Sequence, residues 1–154
     1  MVRSRRIRGI VARGFVTVLT GCQPGAVTGP QVDPSLQVLE DLVNDHRASV
    51  GCQPLTWISE MARVAQEHSE DMARRNFFDH TNPDGLTPFD RMERAGLTAT
   101  RAAENIAWGQ ASAEEVLRGW LDSPGHRANL ENCQLTEHGL GLYQTRWTHL
   151  FRAP

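Results

Sequence analysis

The apolar residues of this chain change their period once. From Leu36 to Leu121 they recur three and four positions apart, as in Leu36, Leu39, Val43, His46 and Val50 or Met61, Val64, Ala65, His68 and Met72. After Asn132 the texture becomes β-like, in Gly139–Tyr143 and Trp147–Phe151. A period of about 3.6 places side chains on one face of a helix, whereas strands alternate their faces. Helices first and strands last define an α+β class rather than an alternating α/β one.

The punctuation divides the helical part. Asp33-Pro34 opens the first helix with a cap and an N1 proline, and Gly51 closes it. Ser59 is expected to cap a second helix, and Asn82-Pro83-Asp84-Gly85 has turn chemistry. A short helix over Pro88–Ala95 ends at Gly96, Ser112-Ala113-Glu114-Glu115 is a capping box for a fourth, and Ser123-Pro124 opens a helical turn. Two strands join in a hairpin across Gln144–Arg146. Glu60, Glu67, Glu70 and Asp71 read as the solvated face of the second helix. His68, on its apolar stripe, reads as a core histidine.

Charge divides the chain in another way. All 16 basic residues are Arg, and five of them (Arg3, Arg5, Arg6, Arg8, Arg13) precede residue 22 with no acid among them. The remainder carries 11 Arg against all 18 acids, a formal charge of −7 with His neutral. An acidic body excludes sequence-independent nucleic-acid binding, which needs cations to displace counterions. Residues 1–21 read as an export signal: a basic start, then the apolar stretch Ile10–Thr20, too short to span a bilayer. Ser4-Arg5-Arg6 is similar to a twin-arginine signal. Leu19-Thr20-Gly21-Cys22 resembles a bacterial lipobox with Cys22 as the acylated residue. Residues 22–33 then form a lipidated, flexible tether, and 34–154 the domain. This predicts an exported lipoprotein held to the extracytoplasmic side of a membrane. The other reading is a cytosolic chain with a disordered basic tail. With Cys22 lipidated, Cys52 and Cys133 have one pairing open to them in an oxidising compartment; the alternative is two buried thiols.

Several segments in order resemble the bacterial branch of the CAP superfamily, the SCP-type domain of cysteine-rich secretory, antigen 5 and pathogenesis-related proteins. They include Asn44-Asp45-His46-Arg47, Pro54-Leu55-Thr56-Trp57, Phe78-Asp79-His80, Glu104-Asn105-Ile106-Ala107 and Ser123-Pro124-Gly125-His126-Arg127-Ala128-Asn129. The resemblance implies a three-layer α-β-α sandwich around a small antiparallel sheet. It also implies a cleft in which His80, Glu104 and His126 match three of the family's two-His, two-Glu tetrad. The fourth carboxylate of many eukaryotic members is replaced by Ser123, beside Asp122, a departure shared with the bacterial branch. Imidazoles with a carboxylate suit Zn²⁺ or another divalent cation, although no local spacing motif supports such a site here. The alternative is a hydrogen-bonded cluster that supports loops. The resemblance implies a binding or scaffold module for a lipid, glycan or protein ligand in the cell envelope. A metal-assisted, peptidase-like hydrolase is the alternative, and no catalytic residue is assigned. Arg91 and Arg127 are expected to pair with acids that fix loops. His46, His138 and His149 are read as structural or exposed, and the four Trp as core or cleft wall.

Overall fold

In the computed structural model, residues 33–154 are described; the leader, the lipobox and most of the tether lie outside them. The unit spanning Gln31–Pro154 folds around its own core. Its elements are α1 (Pro34–Ser49), β1 (Thr56–Trp57), α2 (Ser59–Arg74), α3 (Pro88–Arg94), β2 (Arg101–Trp108), α4 (Ala113–Asp122), α5 (Pro124–Leu130), β3 (Glu137–Tyr143) and β4 (Arg146–Ala153). Among the described residues, no helix is long and apolar enough to cross a membrane.

Local chemistry sets most of these boundaries. The Asp33 side chain accepts from the Ser35 amide, and Pro34 follows at N1. Gly51 takes the left-handed turn after α1 at φ 86°. Thr87 and Asp90 form a reciprocal capping box at α3. Ser112 caps α4 by accepting from Glu115 N, while the Glu115 carboxylate reaches back to Ala111 N at 2.9 Å. The second helix departs from expectation: Ser59 is its first residue, Ile58 precedes it as the cap, and no side chain caps that end.

The sheet runs β1-β3-β4-β2. β3 pairs antiparallel with β4, and β4 antiparallel with β2. β1 pairs parallel with β3 through Thr56 and Trp57, so the sheet is mixed, not purely antiparallel. β1 reaches β3 only after most of the chain has intervened, which leaves it free of the hairpin rule that makes neighbours antiparallel.

Register assigns the two faces. One carries Ala102, Glu104, Ile106 and Trp108 of β2 opposite Arg152, Leu150, Thr148 and Arg146 of β4; this face is covered by α2 and α3, with Met61, Val64, Ala65, Met92 and Leu150 in one core cluster. The other packs Leu140, Trp147 and Phe151 against Leu39 and Val43 of α1, Val116 and Trp120 of α4 and Leu130 of α5. The result is the α-β-α sandwich.

Two glycines set the spacing of the first layer. A Cβ on Gly139 would lie 2.2 Å from Ala62 N, and one on Gly141 2.3 Å from Gln66 N. The α2 backbone therefore rests directly on β3. The contact is pinned by Ser69 Oγ, which donates to Thr148 Oγ1 at 2.8 Å, and by Leu142 N, which donates to Gln66 Oε1 at 2.9 Å.

A second clamp closes the other layer. Cys52 and Cys133 are disulfide-bonded across 81 residues; a loop of that length constrains the unfolded chain by on the order of 4 kcal/mol. Beside it, buried Arg47 donates to four carbonyls, those of Gln53, Leu130, Asn132 and Leu135. Among the described residues no carboxylate pairs with it, carbonyl dipoles balance its charge, and burial lowers its pKa.

Gly141→Ala is expected to destabilise the domain by about 3 kcal/mol or more, since helix and strand backbones would have to separate. Gly119→Ala, at an exposed α4 position with nothing near its Cβ, should be neutral or stabilising by up to about 1 kcal/mol. Urea unfolding midpoints of the two variants decide; equal effects would contradict the close-approach account.

Candidate functional site

Glu104 lies on edge strand β2, on the face beneath α2. Its side chain is 1% exposed. A buried carboxylate must be paired to persist, and both oxygens are engaged. Oε2 accepts from Arg91 Nη2 of α3. Oε1 lies 2.8 Å from His80 Nδ1. His68 Nε2 of α2 is 4.0 Å from Oε1 and donates to the Asp79 carbonyl at 3.0 Å.

Arg91 does more than pair. Its Nη1 donates to the carbonyls of His80 at 2.8 Å and Leu86 at 3.1 Å. One guanidinium thus fixes both the carboxylate and the loop that carries His80. Within that loop, Asn82 Oδ1 accepts from the amides of Asp84 and Leu86, and Gly85 sits at φ 80°.

His126 arrives from the other layer. α5 lies along β2, where buried Asn105 donates to the His126 carbonyl at 3.1 Å and accepts from Asn129 Nδ2 at 2.8 Å. The same Asn129 amide approaches the Glu104 carbonyl at 3.5 Å. The edge strand is thereby bound by side chains of α5, and the His126 backbone is positioned by Asn105. The Glu104-Asn105 and His126–Asn129 segments, far apart in sequence, are wired together through these two asparagines, whose role the residue types alone did not reveal.

The environments of the imidazoles differ. His80, about half exposed, has its pKa raised by the hydrogen bond to Glu104, against desolvation. His126 is lowered by desolvation and by the charge of His80. His68 is lowered by burial.

The remaining histidines are structural. His138 and His149 form a buried pair, Nδ1 to Nε2 at 3.0 Å, and burial pushes His138 down to about 4 and His149 well down. His46 meets Glu131 at 3.1 Å, bracing α1 against the end of α5. Arg127 Nε donates to the Leu121 carbonyl rather than to an acid. Trp120 and Trp147 are core residues, whereas Trp108 is 52% exposed and stands beside Phe78 with ring centroids 5.9 Å apart.

The donor set for a cation is narrower than the three matched residues suggest. Among the described residues, no three His, Cys, Asp or Glu side chains form a group that could hold a metal ion. Each Glu104 oxygen already accepts one hydrogen bond. His80 keeps Nε2 and His126 keeps its ring nitrogens without hydrogen-bond partners among the described residues. A carboxylate behind one imidazole nitrogen is the usual support for a histidine that binds metal through the other. The atoms left open to a cation are imidazole nitrogens of His80 and His126, with Glu104 standing behind His80.

The model of the cysteine-rich secretory protein family, CAP, matches residues 40–149. The chain is 38% identical over 113 residues to the uncharacterized protein YkwD of Bacillus subtilis (strain 168), covering 72% of this chain and 44% of that one. It is 36% identical over 121 residues to the uncharacterized membrane protein YlbC of the same organism, covering 79% and 35%. It spans less than half the length of these relatives. In three dimensions it matches an extracellular SCP-domain protein of Bacillus anthracis with a TM-score of 0.76 at 35% identity, over 82% of this chain and 45% of that one. An outer surface protein of Borrelia burgdorferi shares the fold, with a TM-score of 0.74 at 22% identity over 81% and 98%. The chain belongs to the cysteine-rich secretory protein (CAP) family.

By NMR, His80 is expected to titrate above the ordinary histidine value of about 6.5 and to fall toward or below it in Glu104→Gln, where the charged partner is gone. A midpoint that does not move would contradict the His80–Glu104 pair.

Proposed function

We propose that this protein is an extracytoplasmic binding or scaffold module of the cell envelope. It is exported by the leader, anchored through acylated Cys22, and works around the His80–Glu104–His126 cleft. Three observations support export. The family relatives include a protein described as extracellular and another described as a membrane protein, and the Cys52–Cys133 disulfide suits an oxidising compartment. The ligand class is a lipid, glycan or protein.

The observation that carries binding over hydrolysis is the double occupation of Glu104 by Arg91 and His80. A metal-assisted peptidase needs a base beside the activated water, and Glu104 already holds a partner on each oxygen, one of them the Arg91 cation. A divalent cation such as Zn²⁺, when bound, would supply positive charge and open coordination positions for a ligand group. His80 and His126 would hold it, and Glu104 would orient His80 from behind.

Calorimetric titration of metal-stripped protein with Zn²⁺ at neutral pH tests the cleft. Wild type should bind one ion with modest affinity, because two imidazoles fall short of the usual three or four protein ligands. His80→Ala and His126→Ala should abolish the heat, and His46→Ala should retain it. Binding should weaken as pH falls and the imidazoles protonate. Absence of binding in wild type removes the cation from the account. Casein hydrolysis that vanishes in Glu104→Gln would replace the binding reading with the hydrolase one.

A further inference from the structure

The sheet face opposite α2 holds two histidines inside its core. His138 of β3 and His149 of β4 are both 0% exposed. Their rings meet Nδ1 to Nε2 at 3.0 Å. Aromatic rings pack around the pair. Trp57 of β1 stands edge-on to His138 with centroids 5.5 Å apart, and Phe151 of β4 and Trp120 of α4 flank His149 at 3.7 and 5.6 Å. Among the described residues, the charged groups acting on the pair are Glu40 and Arg47, both of α1. Glu40 Oε1 lies 3.6 Å from His138 Nε2, and the Arg47 cation opposes proton binding on both rings. β2 sets the neutral Asn105 opposite His149.

The protons of this pair can be counted. Two neutral imidazoles carry two ring protons on four nitrogens. One proton fills the shared bond. The outer nitrogens, His138 Nε2 and His149 Nδ1, have no hydrogen-bond partner among the described residues. The Glu40 carboxylate selects the arrangement: it attracts a proton on His138 Nε2 and would repel a lone pair there. His149 Nε2 then donates to His138 Nδ1, and His149 Nδ1 keeps a lone pair. A third proton has only that nitrogen left to enter. There it would meet no acceptor among the described residues, and it would leave a cation buried in an aromatic core.

Glu40 is a poor counterion for such a cation. Burial, and then the neighbouring Asp41, raises its pKa, so its charge is lost early as the medium acidifies. Burial holds His138 down at about 4 and His149 well below the ordinary histidine value. In the unfolded chain both rings take up protons near about 6.5. The stability that the neutral pair contributes is therefore complete above about 6.5 and is lost as pH falls toward the folded values.

We propose that the His138–His149 pair is a proton-operated latch: while both rings are neutral it fastens the sheet to the layer of α1 and α4, and an acidic medium releases that layer. Release takes up two protons from the medium, one per ring, and no other reactant. The latch needs no metal. Leu130 of α5 belongs to the same core, so the latch also bears on the helix that carries His126.

Urea unfolding of the full chain with its disulfide intact tests this, between about pH 7.5 and about pH 5. Tryptophan fluorescence is the signal, since Trp120 and Trp147 lie in the same core. The pair should raise the unfolding constant close to tenfold for each histidine, about fiftyfold together, between about pH 6 and about pH 5. In His138→Phe/His149→Phe, which replaces both polar partners at once, that share of the rise should vanish and the slope of the remaining groups should stay. His138→Leu/His149→Leu should behave alike, whichever double variant packs better. In wild type, ring nitrogen NMR of the folded protein at about pH 5.5 should show both imidazoles neutral and protonated on Nε2. Two results would overturn the proposal. One is either ring titrating near about 6.5 while the protein stays folded. The other is a wild-type rise that exceeds those of the double variants by less than about tenfold, which is one proton at most.

Discussion

The Arg91–Glu104 ion pair is the interaction on which the rest of the site depends. Glu104 sits on a strand beneath a helix layer, where an unpaired carboxylate would not remain charged. Arg91 removes that cost and commits its other nitrogen to the His80 and Leu86 carbonyls. Loop, strand and α3 become one unit around a single guanidinium. A buried pair of this kind adds little net stability over a packed apolar substitute, yet removing one partner costs about 3–5 kcal/mol because the other is stranded. Its value here is positional, since it decides where His80 points.

Position also comes from the sheet. Gly139 and Gly141 let α2 lie on β3, which brings His68 within 4.0 Å of Glu104. On the opposite flank, the Asn105–Asn129 bridge ties α5 to the edge strand and carries His126 with it. The disulfide and Arg47 hold the α5–β3 connection against the end of α1. The His80–Glu104 pair and the His126 backbone are therefore held from two layers at a sheet edge. An edge strand needs its exposed backbone covered, and the elements that cover it deliver the functional groups.

Much of this is legible in the sequence. The Asp33-Pro34, Ser112 and Asn82–Gly85 signals place their helix starts and turn, because capping and turn chemistry are local. The order of motifs implies the sandwich, and the family assignment agrees with it. β2 is not recognisable as a strand: Glu104 and Asn105 interrupt its apolar pattern, since one is a buried charge paired from another element and the other is a hydrogen-bonding bridge. The parallel pairing of β1 is equally hidden, as two residues carry no periodicity. His68 reads as a core histidine, and it is buried, but its partners Asp79 and Glu104 come from segments that helical spacing cannot report. That both Glu104 oxygens are engaged follows from Arg91 standing on a third element, so a three-ligand reading is natural from the residues alone.

Arg91 and Glu104 act as one buried unit that positions His80. A double-mutant cycle with Arg91→Met and Glu104→Gln, read by urea unfolding, tests it most directly. Each single substitution should cost about 3 kcal/mol or more, and the double variant should cost far less than their sum, with a coupling energy above about 2 kcal/mol. Additive effects, with coupling within about 0.5 kcal/mol of zero, would contradict the account.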